Sequence, residues 1–337
     1  MAVNSSIPIV SMWDYEGSSD AEYLGNILKS NRIDATVEDV FGIRDPKTGK
    51  WLVKPRVRYY SETVAEKFFD YLAKLERLLP DVRKIGDDWF YIYENTKPNK
   101  SIVGSKYDKS YFSKTGKFRV PAPNGNLQAL VICDSYPAML PEKMDTDDPS
   151  NAMAMQARMF SEQMKRVKGR MKAKRIAVIG INQLRQKPMV MFGDPSYEPG
   201  GEALRFFSDV RIRLASRALS AVVNGGKGYE ETEDSYNGEG EDTYRYVHAR
   251  AIKNKLSVPN LECFLRIWIT DADGAAMGID PVFDTFQYLE MTGQISGPRK
   301  KMVLKLRKHD EVTLDWGQLK TLVLGSRKEV AEVCDKI

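Results

Sequence analysis

The sequence predicts an α/β fold with a mostly parallel central sheet flanked by helices. Three apolar runs, at residues 7–13, 127–133 and 176–181, have the length of buried strands and are each followed by acidic or polar residues. Amphipathic helix patterns at 62–79 and 154–172 separate these runs. Strands that alternate with helices favour a parallel sheet, because parallel strands need long crossover connections. The carboxyl edge of such a sheet is where ligands bind.

The remaining elements follow the same chain order. We expect a short helix beginning near residue 21, a strand at 53–59, and a helix at about 203–207 followed by a strand at 210–214. Strands are predicted at 244–256 and 261–269, and from residue 280 onward a helix, a short strand and two helical pieces complete the chain. The run at 176–181 is expected to be buried on both faces, because it is apolar throughout.

Composition excludes several classes of protein. The 337 residues are 42% hydrophobic, and the net charge of +5 permits a nucleic-acid partner. Three widely spaced cysteines and two histidines argue against a disulfide framework, a zinc site and a Ser-His-Asp triad. No apolar run approaches the roughly 18 residues of a membrane span, and no signal peptide is evident. The expectation is a cytoplasmic protein with no membrane partner.

Basic, aromatic and glycine residues follow the third apolar run. Arg185, Lys187, Met191 and Phe192 precede the pair Gly200–Gly201. Cations and flat side chains suit a phosphate backbone with stacked bases, and glycines let backbone N–H groups approach phosphate closely. The alternative is an ordinary basic surface loop. The amino-acid sequence of this stretch, INQLRQKPMVMFGDP and then GGEALRFFSDVR, resembles the second DNA-binding loop of the RecA family of recombinases.

This resemblance implies a partial RecA-like core at residues 1–271 and a small α+β carboxyl-terminal lobe at 272–337. It implies that Gln183 senses the γ-phosphate of ATP and couples it to the loop, in which the basic, aromatic and glycine residues named above hold DNA. Glu202 departs from the family pattern, which has a neutral polar residue there. An acid beside the phosphate path puts that one contact in doubt.

Acidic residues follow the first apolar run, in the segment DYEGSSD. Acids at the carboxyl end of a parallel strand can orient water or magnesium for phosphoryl transfer. Alternatively, Ser19 or Asp20 caps the helix that begins near residue 21. In the resemblance, Glu16 is the acid that activates the attacking water, and Asp20 and Tyr23 contact adenine.

The second apolar run ends in an acid, as in a Walker B strand. Asp134 would hold Mg²⁺ through its water shell, and Ser135 would help to fix it. Any buried strand can end in Asp. The Walker B interpretation therefore depends on the position of this run between the other motifs. Together, these assignments imply ATP and Mg²⁺ as cofactors.

Two further groups match DNA-binding or nucleotide positions of the family. Met153, Arg158 and Lys165 match positions in and beside its first DNA-binding loop, with Arg158 favoured because it is near the helix start; the alternative is a helix packed on the sheet with a solvated basic face. Lys253 and Lys255 match a strand that ends in two lysines and reaches the nucleotide of a neighbouring subunit. The alternative is a lysine-bearing turn before Pro259.

Residues 80–126 depart from the family pattern as an insertion. Between residues 97 and 119 there are seven basic residues, one acid and four aromatics, a pattern that single-stranded nucleic acid favours. A solvated β-hairpin excursion with a satellite core is the preferred alternative. The insertion and the DYEGSSD segment resemble bacteriophage members of the family, which would place the protein in the cytoplasm of a bacterial host.

The chain contains no GxxxxGK[ST] phosphate-binding sequence, and the family's amino-terminal polymerisation segment is missing. The sequence therefore predicts the carboxyl-terminal part of a split or truncated recombinase that binds single-stranded DNA and, once completed, hydrolyses ATP. Expected partners are single-stranded DNA, duplex DNA during exchange, recombinase subunits in a helical filament, and a separate Walker A fragment. The alternatives are a catalytically silent DNA-binding accessory and a generic RecA-fold ATPase such as a helicase.

Overall fold

The computed structural model describes residues 7–30, 33, 35–94, 108–122, 127–142, 149–186, 196–217, 243–270, 278–298, 300–305 and 311–335. The chain divides into two compact units. The first comprises residues 1–25 and 33–208, and the second comprises residues 26–32 and 209–337. The predicted functional division at residue 271 stays a prediction.

The first unit is built on a four-stranded parallel sheet. Its strand order is β4-β1-β8-β9, formed by Arg58–Ser61, Ile9–Asp14, Ala129–Asp134 and Ile176–Gly180. Helices flank this sheet, and the predicted mixed α/β fold with a parallel central sheet is confirmed. The carboxyl ends of β1 and β8 are level, because Asp14 pairs with Asp134 in register.

The other elements of the first unit lie before, between and after these strands. The helices are α1 (Ala21–Ser30, which continues into the second unit), α2 (Val37–Phe41), α3 (Ala65–Leu78), α4 (Lys109–Thr115), α5 (Pro149–Met171) and α6 (Glu202–Phe207). The additional strands are β2 (Ile43–Arg44), β3 (Trp51–Val53), β5 (Asp81–Ile85), β6 (Asp88–Tyr93), β7 (Phe118–Pro121), β10 (Arg185–Gln186) and β11 (Ser196–Tyr197).

The core of this unit lies between the central sheet and the helices α3 and α5. The predicted apolar stripe of α3 is buried, with Phe68 and Phe69 fully covered. Phe160 of α5 packs against Phe69 with ring centroids 6.0 Å apart. Because an apolar stripe at helical spacing must face other apolar side chains, these helices are fixed on the sheet and position its carboxyl edge.

Strand β9 is less buried than the sequence predicts. Its amino-terminal half packs on the core, but Ile179 is 48% exposed and Ile181, just past the strand end, is 43% exposed. In the part of the chain that the structure describes, β9 pairs only with β8 and is an edge strand. An edge position leaves side chains near the strand end in solvent, although the sequence is apolar throughout.

The insertion forms a three-stranded antiparallel sheet, β5-β6-β7, with α4 beside it. Its described aromatic side chains pack on one another: Phe112 lies 4.5 Å from Phe118, and Arg119 stacks on Phe90 at 4.4 Å and on Tyr111 at 4.7 Å. This packing favours the satellite core over a surface of exposed aromatic faces. Tyr107 lies outside the described residues.

The second unit combines two antiparallel sheets, of strand orders β12-β13-β14-β15 and β16-β17-β18, with helices. Its strands are β12 (Val210–Arg217), β13 (Thr243–Asn254), β14 (Glu262–Thr270), β15 (Gly278–Ile279), β16 (Ile295–Ser296), β17 (Met302–Lys305) and β18 (Glu311–Leu314). Its helices are α7 (Pro281–Met291), α8 (Trp316–Leu324) and α9 (Arg327–Cys334). A buried ion pair joins Arg266 to Asp280, whose carboxylate also caps α7. Among the described helices of the whole chain, none is long and apolar enough to cross a membrane.

Candidate functional site

Three predicted site residues meet at the carboxyl edge of the central sheet. Glu16 follows β1, Ser135 follows β8, and Gln183 follows β9. One oxygen of the Glu16 side chain, Oε1, accepts a hydrogen bond from Ser135 Oγ and another from Gln183 Nε2, the latter at 2.9 Å. Ser135 and Gln183, which are 119 and 167 positions from Glu16 in the sequence, are thus joined through its carboxylate.

Asp134 lies beside this group, and the pKa of its carboxyl group is raised above the usual value. Burial raises the pKa of Asp134, and the negative charges of Glu16 and Asp14 raise it further. A cation bound here would offset the repulsion among the three carboxylates, so the donor set fits a hydrated Mg²⁺ in part. Within the described residues, however, no group of three or more His, Cys, Asp or Glu side chains is close enough to ligate a metal directly.

Asp14 is a site residue that the sequence interpretation missed. Its buried carboxylate accepts hydrogen bonds from the backbone N–H groups of Gly17 at 2.7 Å, Ser19 at 3.0 Å and Glu16 at 3.1 Å. Tyr59 Oη donates to it at 2.8 Å. Burial alone would raise the pKa of Asp14, but these hydrogen bonds outweigh burial and lower the pKa to about 2. Asp14 therefore stays charged and folds the loop that presents Glu16.

A sequence signal for this role exists. An acid that closes a buried strand and is followed within five residues by Gly-Ser-Ser offers several N–H groups to one carboxylate. The sequence interpretation assigns the acids of this segment to water or metal. In the structure, the Asp14 carboxylate instead accepts hydrogen bonds from backbone N–H groups of its own loop.

The path from β9 to Gln183 is fixed by the turn after β8. Ile181 N–H donates to the Cys133 carbonyl at 2.9 Å, and Tyr136 N–H donates to the Ile181 carbonyl at 3.0 Å. The Tyr136 ring lies so close to Gly180 that a Cβ there would be 2.1 Å from it. Gln156 of α5 donates to the Met139 carbonyl at 2.8 Å and holds the same turn. Gln183 consequently leaves the sheet in one direction, towards Glu16.

The candidate DNA loop begins as a hairpin directly after Gln183. Arg185 pairs with Tyr197 across the antiparallel strands β10 and β11. Asn182 Nδ2 donates to the Pro199 carbonyl at 3.2 Å and closes the base. Arg185 is exposed at this base. Lys187, Met191 and Phe192 lie outside the described residues.

Gly200 and Gly201 have a packing role at the end of the hairpin. Both adopt positive φ angles, 90° and 73°. A Cβ on Gly200 would lie 2.7 Å from Leu204, and one on Gly201 would lie 2.9 Å from Ala157. These glycines thus allow the loop to approach α5 closely. Their contact with phosphate stays a prediction.

The acid that departs from the family pattern is paired. Glu202 forms an ion pair with Arg205, one turn along α6, with 3.2 Å between the guanidinium nitrogen and the carboxylate oxygen. Arg205 also lies 3.6 Å from Glu198. The charge of Glu202 is therefore partly compensated within its own helix, which reduces its expected repulsion of a nearby phosphate.

The structure gives Asp20 the capping role that the sequence offered as an alternative. Its carboxylate accepts a hydrogen bond from Tyr23 N–H at 2.9 Å, at the start of α1. The Tyr23 ring is 49% exposed. Capping does not exclude a contact with adenine, which stays a prediction for both residues.

The basic face of α5 is in solvent. Arg158 is exposed and pairs with Glu162 at 3.1 Å, one turn further along the helix. Lys165 is also exposed. Met153 lies in α5, but its side chain is outside the described residues. This arrangement leaves both cations accessible to a partner.

Lys253 and Lys255 lie in the second unit, at the end of β13 and just after it. Lys253 is paired in register with Arg211 of β12. The Lys255 backbone N–H donates to the Asp209 carbonyl at 2.9 Å, and its Nζ lies 3.8 Å from the Asp209 carboxylate. Their contact with a neighbouring subunit stays a prediction.

The fold and site together define an α/β protein whose polar cluster occupies the carboxyl edge of a parallel sheet, the place where this fold class binds ligands. Comparison with known proteins makes the relationship more specific. Residues 124–270 match the family model described as the RecA N-terminal domain. Protein RecA of Aquifex aeolicus is 34% identical over 139 residues, which is 40% of this chain and 35% of that protein. Protein RecA of Acholeplasma laidlawii is 40% identical over 105 residues, which is 31% of each.

The crystal structure of the RadB recombinase aligns with 79% of this chain and 77% of its own, at a TM-score of 0.34 and 12% identity. Because so low a TM-score does not establish a common overall fold, the relationship rests on the sequence matches. These support a RecA-family relationship for residues 124–270. The chain spans about a third of the length of the curated relatives it matches.

The matched segment contains most of the predicted site. Asp134, Ser135, Gln183, the residues predicted to form two DNA-binding loops and the two lysines fall within residues 124–270. Glu16, Asp20 and Tyr23 lie upstream of it. The association of Glu16 with the family segment is therefore spatial, through its hydrogen bonds with Ser135 and Gln183.

Proposed function

We propose that this chain is the DNA-binding and nucleotide-sensing part of a RecA-type recombinase in homologous recombination and DNA repair. In this proposal it binds single-stranded DNA, exchanges it with a duplex, and assembles with other recombinase subunits in a helical filament. Two sequence relatives carry the name RecA. The observation that carries the proposal is the single carboxylate, Glu16, that Ser135 and Gln183 both contact.

Each residue of the cluster has a role in this proposal. Asp134 and Ser135 hold Mg²⁺ and its water shell, while Glu16 orients and deprotonates the attacking water. MgATP, when bound, would supply the γ-phosphoryl group that is transferred to this water, with ADP as the leaving group. Gln183 would hold the nucleotide with the side-chain amide that now donates to Glu16, and it lies next to the base of the hairpin, where Arg185 and Lys187 would contact DNA phosphates.

We further propose that a phosphate-binding loop from outside residues 1–337 completes the site, since these residues contain no GxxxxGK[ST]. Without that loop, the β- and γ-phosphates have no cradle of backbone N–H groups. Purified chain 1–337 should therefore show negligible ATP hydrolysis, and a fragment that carries such a loop should restore it. Robust hydrolysis by the chain alone would contradict this part of the proposal.

A DNA-binding titration tests the proposal most simply. Labelled oligo(dT) should bind the full chain with an affinity that falls steeply between 50 and 200 mM salt, and Arg185→Ala or Lys187→Ala should weaken binding several-fold, because each removes a phosphate contact. Arg56→Ala is the matched control, an exposed cation outside the hairpin. If both hairpin variants bind as tightly as wild type, the loop assignment is wrong.

ATPase restoration separates this proposal from a catalytically silent DNA-binding accessory. An accessory would bind oligo(dT) but would not gain hydrolysis from any loop-bearing fragment. In the recombinase proposal, the restored activity also falls by at least 100-fold in Glu16→Gln, because the residue that activates water is lost while the shape is kept.

A further inference from the structure

A second charged feature lies away from the acid cluster. Helices α3 and α5 and the start of β4 enclose a groove of about 1000 Å³. The charged residues that line it are the cations Arg58, Lys67, Lys74, Arg77, Arg166 and Arg170 and the acids Asp70 and Glu76. Six positive charges against two negative ones leave an excess of four in one groove.

Three of the six cations are paired: Lys67 lies 2.7 Å from Glu62, outside the groove, and two arginines with exposed side chains make longer pairs with Asp70 and Glu76. Arg166 lies 3.5 Å from Asp70 with its side chain 56% exposed, and Arg170 lies 3.3 Å from Glu76 with its side chain 74% exposed. Pairs of this kind contribute little stability and exchange readily for another anion. Lys74 and Arg77 have no carboxylate within 4.0 Å in the described part of the chain.

The cations are spread over a length that suits a polyanion. Lys67, Lys74 and Arg77 extend over eleven residues of α3, and the ten steps between the first and the last cover about 15 Å along the helix axis. That length of B-DNA carries roughly four phosphates on each strand. We propose that this groove binds the phosphate backbone of duplex DNA, as a contact surface separate from the hairpin.

The aromatic side chains of the groove favour a duplex over a single strand. Single-strand sites present free aromatic faces on which bases stack. Here Tyr60 stacks on Trp13 at 4.4 Å, and Tyr71 packs against Trp13 at 5.3 Å and against Tyr60 at 5.4 Å. With these rings engaged in the core, the groove offers charge for phosphates and no platform for bases, which is what sequence-independent backbone binding requires.

The groove extends along α3 from its first turn, at Lys67, to its last turn, at Arg77, away from the carboxyl edge of the sheet. Arg58 is the first residue of β4, and Arg77 is in the last turn of α3, which runs back from the carboxyl edge. None of the residues that line the groove belongs to the acid cluster. The inference thus goes beyond the proposed function and can fail independently of it.

The test measures duplex affinity of the full chain with a labelled 30-base-pair duplex between 50 and 200 mM salt. Lys74→Ala/Arg77→Ala should weaken binding roughly 10- to 100-fold at 100 mM salt and reduce the slope of log affinity against log salt by about 2. Lys47→Ala/Lys50→Ala, on the exposed turn between β2 and β3, removes the same charge outside the groove and is the matched control. Equal weakening in the two variants, or no duplex binding by wild type at 50 mM salt, overturns the proposal.

A second variant has the opposite sign. Asp70→Asn/Glu76→Gln releases Arg166 and Arg170 from their acids and should tighten duplex binding several-fold. Unchanged or weaker binding contradicts the proposal. Arg185→Ala, in contrast, should weaken oligo(dT) binding more than duplex binding, whereas Lys74→Ala/Arg77→Ala should weaken duplex binding more than oligo(dT) binding, so failure at the hairpin and failure at the groove are distinguishable.

Discussion

The two ends of the central sheet of the first unit differ in charge and in the way their side chains are held. At the carboxyl end, the carboxylates of Asp14, Glu16 and Asp134 gather around a polar cluster, and backbone N–H groups fix the loop between them. Towards the amino end lie the basic groove and the insertion, which is anchored by Lys174 and Gln128. The same strands thus support an acidic end built by strand-end loops and a basic end built by helices.

Side chains and loops with fixed geometry are therefore concentrated at the acidic end of the sheet. There, a buried charge organises the loop, whereas the cations of the groove are exposed and loosely paired. Substitutions at the carboxyl end should therefore affect stability most, and substitutions in the groove should affect binding. The following predictions test this contrast.

The largest effect is expected for Asp14→Asn. An amide has one acceptor oxygen in place of two and presents an NH₂ group to backbone donors, so several N–H groups lose their partner. We expect a loss of about 3 kcal/mol in the free energy of unfolding, measured with urea. Asp45→Asn is the matched control, since Asp45 holds an exposed turn through Lys47 N–H at 2.8 Å and Thr48 Oγ1 at 2.7 Å. A loss no larger than in this control would contradict the role of Asp14.

Asp14 also sets a pH dependence. Its folded-state pKa of about 2 lies below the unfolded value of 3.8. Its contribution, about 2 kcal/mol, is therefore fully present above pH 4 and is lost as the pH falls towards 2. Wild type should lose this stability relative to Asp14→Asn over that window. Parallel pH profiles for the two proteins would show that the carboxylate is not the stabilising group.

A smaller but clear effect is expected for Gly180→Ala. The new methyl group would meet the Tyr136 ring at 2.1 Å, so β9 or the turn after β8 must shift, at a cost of about 2 kcal/mol. Gly169→Ala is the control of opposite sign, because nothing lies within 4 Å of that position in α5. It should stabilise by up to about 1 kcal/mol. Thermal unfolding of the two variants compares them, and equal stabilities would rule out the close contact.

The amino end should respond least in global stability. Lys174 Nζ donates to the Leu79 carbonyl at 2.8 Å and lies 3.1 Å from the Asp81 carboxylate. Lys174→Ala should cost about 1 kcal/mol and increase hydrogen exchange in β5 to β7, because it removes one attachment of the insertion. Lys172→Ala, two residues earlier and exposed, should change neither quantity. Unchanged exchange in Lys174→Ala would place the attachment elsewhere.

The acidic end could be predicted largely from the sequence. Asp134, Ser135 and Gln183 follow apolar runs, and the carboxyl ends of parallel strands meet at one edge whatever the distance along the chain. The contact between Glu16 and Gln183 was expected in outline for that reason. The wrapping of Asp14 was missed because it depends on loop geometry, which residue types alone do not determine.

The basic end could be predicted much less well. The apolar stripe of α3 was evident, but its cations form a groove only because α5 packs beside it with Arg166 and Arg170 facing the same side. The insertion was expected as a hairpin and forms three strands and a helix, anchored by contacts of Gln128 with the Pro80 and Lys174 carbonyls, both at 2.8 Å. Such long-range contacts leave no periodic signal. The exposure of Ile179 depends likewise on which strands pair with β9.

The central claim is that Glu16 and Gln183 contact each other at the carboxyl edge and act together. A double-mutant cycle with Glu16→Ala and Gln183→Ala, read out as the free energy of unfolding in urea, tests this directly. The account predicts a coupling of about 0.5–1 kcal/mol, as expected for a hydrogen bond to a carboxylate in an exposed site. Strictly additive effects of the two substitutions would contradict it.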